Sequence, residues 1–293
     1  MVGRRIRVAT CQFPVTKSIE GNFEHIVEQM RCAGARKADV VHFSECALSG
    51  YMGRELRTER ELDYAQLRKR TEDVMEAARG LGVWVVVGST HRLTGHHSPH
   101  NSLYVIDERG RLLERYDKMF CTGKASPAAT DDLRFYSPGG HFVTLEVKGV
   151  RCGLLICHDY RYPELYRRYK RMGVEVVFHS FHNAGARKLE KDPELRGEIV
   201  RATIQASAAS NYMWVSANNS SRRYSSWGSF FVRPDGKIIA RTRRHTAAVL
   251  VNQVHTGKKY YDASADWRPR VLAGVFHSGK LVRDPRSRRR NVL

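Results

Sequence analysis

The chain has 293 residues, of which 42% are hydrophobic and 27% charged, and it carries a formal net charge of +20. That is enough apolar material for one large core or two small ones, and it excludes a disordered chain. No apolar run approaches the ~20 residues of a membrane helix, and the start, MVGRRIRVATCQF, lacks the apolar stretch of a signal peptide.

Six cysteines are scattered at 11, 32, 46, 121, 152 and 157 with no CxxC pair. Neither a zinc knuckle nor a disulfide framework is indicated, and a reduced, cytoplasmic setting is expected. The basic residues are spread along the chain as a solvated face would spread them. Only the tail, with Arg283, Arg286, Arg288, Arg289 and Arg290, is a true cluster. It predicts at most weak, non-specific and salt-sensitive binding of nucleic acid, and it has no aromatic residue to stack on bases.

Taken in order, Ile6–Gln12 reads as a strand, and Ile19, Phe23, Ile26, Val27 and Met30 share one helical face. DVVHFSE is a short strand ending at Glu45, and SGYMG, with Tyr51, is a loop. Leu62, Leu67, Val74 and Met75 suggest a helix across 57–79, ended by Gly80 and Gly82. VWVVVG is a strand buried on both faces. NSLYVID and RLLERYD form a hairpin that runs out at Lys118. The loop over 121–140 is long and polar, of a length that is usually functional or mobile. A second hairpin turns at Lys148-Gly149 and ends at Cys157, and Pro163 opens a helix over 163–172. VEVVFHSF, a helix near 193–209, YMWVSAN, a hairpin turning at Pro234-Asp235-Gly236 and the strand AAVLVNQV complete the pattern; after Tyr260 it is irregular and basic. The mix of strand–helix–strand units and hairpins predicts a mixed sheet, or two packed sheets, with helices outside.

Glu45, Lys118 and Cys157 each stand at the carboxyl end of a predicted strand, where open α/β sheets bind ligands. Alone, Cys157 reads as a small buried hydrophobe. The segments VATCQFPV, FSECALSGY, ERYDKMF, GLLICHDYRYPELYR, WVSANNS and WGSFFVRPDGKIIA change that reading. Together they resemble the nitrilase superfamily, the carbon–nitrogen hydrolases, over nearly the whole chain. The resemblance implies an α/β fold of the four-layer αββα sandwich type, a Glu–Lys–Cys triad at Glu45, Lys118 and Cys157, and a homodimer or larger homo-oligomer. Residues 1–262 would form the hydrolase domain, and 263–293 a basic C-terminal segment suited to packing on a partner subunit.

The chemistry is consistent with that resemblance. A thiol is a weak nucleophile until it loses its proton; a carboxylate can take the proton, and a lysine lowers the thiol pKa by charge. Lys118 and the backbone N–H of His158 are candidate donors to the oxyanion. The expected reaction is hydrolysis of a small linear amide or N-carbamoyl compound through a thioester, with neither metal nor organic cofactor. Nitrile hydrolysis on the same triad, or nucleic-acid binding on a vestigial hydrolase fold, are the alternatives.

In DDLRFYSPG, Asp132 fits the place of a second acid that family members carry, although Asp131 is equally close and either could cap a turn. His158 points away from Cys157 on an extended backbone, whereas His179 and His182 are expected to line the pocket rather than bind a metal. Cys157-His158-Asp159 is closer to the amidase and carbamoylase branches than to true nitrilases. Tyr160 stands where carbamoyl-amino-acid hydrolases often place an arginine, which leaves Arg161 as the candidate for a substrate carboxylate. Ser44 replaces a common proline, and Met119-Phe120 departs from the usual residues after the lysine.

Overall fold

A computed structural model describes residues 3–123, 131–184 and 192–291. Twelve strands among them form two six-stranded sheets. In the first, the order is β12 (Ala248–His255), β1 (Arg5–Gln12), β2 (Val40–His42), β3 (Trp84–His91), β4 (His100–Ile106) and β5 (Leu112–Asp117). In the second it is β11 (Ile238–Arg241), β10 (Phe230–Val232), β9 (Trp214–Asn218), β8 (Val176–Ser180), β7 (Val150–Ile156) and β6 (Thr144–Val147).

Alternation along the strands makes the layers. On β1 to β4, Val8, Val40, Val86, Leu103 and Val105 join the core shared with the second sheet. Their neighbours Ala9, Val41, Val85, Val87, Tyr104 and Ile106 face the other way, into a core with α1 (Ile19–Ala35) and α2 (Tyr64–Leu81). The far side of the second sheet packs on α3 (Pro163–Arg171) and α4 (Pro193–Asn211), where Tyr169 donates to the Leu154 carbonyl at 2.7 Å. The chain is therefore an αββα sandwich.

A buried polar bridge ties the sheets together. His42 bonds Ser216 Oγ through Nδ1 at 2.9 Å and Ser180 Oγ through Nε2 at 2.8 Å. Thr10 Oγ1 and Ser216 Oγ are 2.7 Å apart. Beyond β12, Tyr260 sets its ring edge-on to Trp214, and Arg268 pairs with Asp262 and donates to the Ser210 carbonyl at 3.2 Å. Two short helices, α5 (Arg268–Leu272) and α6 (Pro285–Arg288), follow. Among the described residues no helix is long and apolar enough to cross a membrane.

Two expected boundaries move. DVVHFSE is a strand only to His42; from Phe43 the chain turns away, with Cys46 at φ 51°. The second helix begins at Tyr64 because the Asp63 side chain takes the N–H groups of Ala65 and Gln66. It continues through Gly80 and stops at Gly82, whose φ of 63° suits a left-handed cap.

Candidate active site

Strands β1, β2 and β3 run parallel, and two antiparallel pairings carry that direction on to β5. The carboxyl ends of β2 and β5 therefore lie at one edge of the first sheet. Glu45 follows β2, and Lys118 follows β5. The Glu45 turn passes directly over β3 at Gly88, where an added Cβ would lie 2.2 Å from the Ser44 carbonyl oxygen. The edge faces the carboxyl ends of β7 and β8, and Glu45 N–H donates to the Phe181 carbonyl at 3.3 Å.

Lys118 is buried, with its ammonium between two carboxylates. Nζ is 2.8 Å from Glu45 Oε1 and 2.6 Å from Asp132 Oδ2. Asn101 donates to the same Glu45 oxygen at 2.7 Å. Asp132 also receives the Thr122 N–H at 3.0 Å and the Tyr51 hydroxyl. Glu45 Oε2 is buried and has no hydrogen-bond partner among the described residues. Burial alone would push the Lys118 ammonium down, but the Glu45 charge, with Tyr51 and Asp132 behind it, holds it well above the usual lysine value. Burial works to raise the Asp132 carboxyl; Lys118 and the hydrogen bonds outweigh it and keep the acid ionised. The side chain of Asp131 lies outside the described part of the structure.

Cys157 opens a tight turn of 3₁₀ geometry directly after β7, at φ 41°. This is a strained backbone for a residue with a side chain, of the kind that presents a nucleophile at a strand end. Its thiol is pushed up to about 12, first by desolvation and next by the Glu45 charge, against the pull of Lys118 and the His182 backbone N–H. Lys118 lowers the thiol as its charge is expected to, but burial and the carboxylates outweigh it.

A cavity of about 590 Å³ joins Cys157, Lys118 and Asp132 with Tyr51, Thr122, Phe135 and His182. A larger cavity, about 780 Å³, lies against α2 and is lined by none of these residues. A family model described as carbon-nitrogen hydrolase matches residues 7–258. The chain belongs to the carbon–nitrogen hydrolase family. An (R)-stereoselective amidase from Pseudomonas sp is 28% identical over 89% of this chain and 88% of its own length. The human omega-amidase NIT2 is 25% identical over 83% of this chain and 86% of itself. A solved mutant of the Nesterenkonia AN1 amidase, of the nitrilase superfamily, shares the fold with a TM-score of 0.74 at 19% identity, over 94% of this chain and 99% of that one. In another structure of that amidase, the acetamide moiety of fluoroacetamide is added covalently at the active site cysteine.

This carbon–nitrogen hydrolase is amidase-like, and its remaining expected residues divide. Tyr51 and His182 line the cavity with their rings stacked at 5.0 Å. His182 Nε2 is 3.1 Å from Glu55 Oε2, without the alignment of a hydrogen bond. His179 does not line it: it sits behind Cys157, bonding that residue's carbonyl through Nε2 at 3.1 Å and Tyr166 through Nδ1 at 2.6 Å. The cause is its place within β8, facing α3, whereas His182 lies past the strand end. Desolvation lowers His179 to about 3, so the ring is neutral. His158 is half-buried, edge-on to Tyr162. Arg161 is exposed over the Tyr160 ring, away from the cavity wall.

Sequence reasoning missed Asn101, Glu55 and Asp159. Asn101 was within reach: the hairpin register pairs Ser102 with Asp117, which sets Asn101 beside Lys118. Glu55 holds Arg222 at 2.7 Å and receives the Tyr51 N–H. It has no sequence signal, because its partner lies far along the chain.

Proposed function

We propose that this hydrolase cleaves a small linear amide or N-carbamoyl compound through a thioester on Cys157. The observation that carries the reading is the division of labour on Glu45. One oxygen is fixed by Lys118 and Asn101, and the other is buried with no hydrogen-bond partner among the described residues. A carboxylate held this way can take a proton without moving. The Cys157 thiol gives its proton to Glu45 as sulfur attacks the carbonyl carbon. The tetrahedral oxyanion is met by the Lys118 ammonium and the His158 backbone N–H. Glu45 returns the proton to the leaving nitrogen, the C–N bond breaks, and ammonia or an amine departs. Glu45 then takes a proton from water, whose oxygen attacks the thioester, and the thiolate recovers its proton as the acid is released.

Asp132 is the second acid in this reading. It holds Lys118 from the side opposite Glu45 and keeps the ammonium charged. The test is ammonia release from a panel of amides, N-carbamoyl amino acids and nitriles. Mass spectrometry of rapidly quenched enzyme would report the acyl adduct. Cys157→Ala should lower turnover by about 10⁴ or more and abolish the adduct. Full activity in that variant, on any amide that the native enzyme cleaves, would refute the nucleophile. Nitriles cleaved in preference to amides would move the substrate class.

A further inference from the structure

We infer that the cavity selects amides carrying an anionic group a few bonds from the scissile carbonyl, of which the monoamide of a dicarboxylic acid is the simplest. This rests on the hydrolase reading above and specifies its substrate.

The reason is the charge of the rim. Arg54, Arg134 and Arg196 all line the cavity, each from a different part of the chain. Arg54 sits in the loop after Tyr51. Arg134 ends the short turn Asp131–Arg134, and Arg196 belongs to the first turn of α4. One contact brings the first two together. Gly53, at φ 85°, lies so close to Phe135 that an added Cβ would be 2.7 Å from Cε2 of that ring. Arg54 and Arg134 are the chain neighbours of this pair, and the Arg134 guanidinium lies 5.6 Å over the Phe135 ring.

Some arginines of the sandwich are held by acids, as Arg70 is by Glu20 and Asp73, Arg115 by Asp117 and Arg222 by Glu55. Among the described residues, neither Arg54 nor Arg134 has a carboxylate partner. Among the described residues the one carboxylate lining the cavity, Asp132, has both oxygens committed, to Tyr51 on one side and to Lys118 and Thr122 on the other. Guanidinium groups suit the flat, two-oxygen face of a carboxylate. An amide seated at Cys157 with its tail toward the opening would lay an anion among them. A cationic tail would meet repulsion there, and a neutral one would gain nothing from the rim.

The experiment compares kcat/KM for succinamate and glutaramate with that for the neutral isosteres butyramide and valeramide, by ammonia release. The native enzyme should favour the anionic member of each pair at least tenfold, mainly through KM, with a preference that shrinks as sodium chloride rises. Arg54→Gln and Arg134→Gln should each reduce the preference ratio about tenfold. Arg68→Gln, on the outer face of α2, should leave the ratio as it is. A native ratio within twofold of unity, or a ratio untouched by both rim variants, overturns this inference while leaving amide hydrolysis intact. Hydrolysis of no amide, together with no acyl adduct on Cys157, overturns this inference and the hydrolase reading beneath it.

Discussion

The Asp159 carboxylate, two residues past Cys157, accepts the backbone N–H of Phe120, two residues past Lys118, at 2.9 Å. Its other oxygen takes the Ile156 N–H at 2.9 Å and the Tyr116 hydroxyl at 2.8 Å. One buried side chain thus fastens the strand end that carries the lysine to the strand end that carries the thiol. An asparagine would turn an N–H group toward at least one of these N–H donors. Asp159→Asn is therefore expected to lower kcat about 10²-fold, the scale of a misplacement near 1 Å. Steady-state kinetics checks this, and a native kcat in a folded variant would show that the strap does not set the geometry.

Asp132 is the acid on the other side of Lys118. Asp132→Asn should also cost kcat about 10²-fold, since it removes a charge from the ammonium and alters the contacts to Tyr51 and Thr122. Lys118→Met is a different case. It leaves Glu45 and Asp132 buried with no cation between them and should destabilise the fold by about 3–5 kcal/mol. Denaturant midpoints separate the two outcomes; equal stability for both variants would argue against the buried pairing.

The thiol gives a test of its own. With Cys157 raised to about 12, its reaction with a small thiolate-directed reagent such as methyl methanethiosulfonate should climb roughly tenfold per pH unit from 6 to 9 without levelling. Subtracting the Cys157→Ala rate removes the contribution of exposed Cys32 and half-buried Cys121. A plateau below pH 7.5 would mean that a thiolate is already present.

Acid should weaken the fold through its buried histidines. His42 and His179 are lowered to about 3, chiefly by desolvation, against about 6.5 for an unfolded histidine. Between those values the unfolded chain binds protons that the native chain does not, so stability falls as pH falls. Asp159 runs the other way: burial raises it to about 6, so its native form gains protons first and stability rises as pH drops from 6 toward 4. Among these three groups, two losses against one gain leave about 1.4 kcal/mol lost per pH unit between pH 6 and 4, and the lowered His91, His158 and Glu55 add to the loss. Urea midpoints across that range measure it, and His42→Gln should flatten the slope. A midpoint that rises toward pH 4 would contradict the assignment of neutral histidines.

The order of strands and helices was readable from local patterns, which left a mixed sheet or two packed sheets open; the four layers came from the resemblance. Glu45, Lys118 and Cys157 were readable because strand ends are local features, and the resemblance tied them together. Neither argument reaches Arg54 and Arg134, which line one cavity as neighbours of Gly53 and Phe135, a contact between loops that no periodicity encodes. His179 was misplaced for a simpler reason: it is three residues from His182, an odd step that sends the two side chains to different surroundings. Asp63 carried the start of α2 in plain view, as a cap residue that the apolar pattern overran, whereas Gly82 ends the helix as expected.

The proton kept on Cys157 also bears on how the protein ages. Thiolates attack peroxides and disulfides far faster than thiols do. A thiol that burial and the Glu45 charge hold in its protonated form offers oxidants little to react with. Exposed Cys32 is then the site where oxidative damage should accumulate first, and the nucleophile should outlast it in a protein stored without substrate.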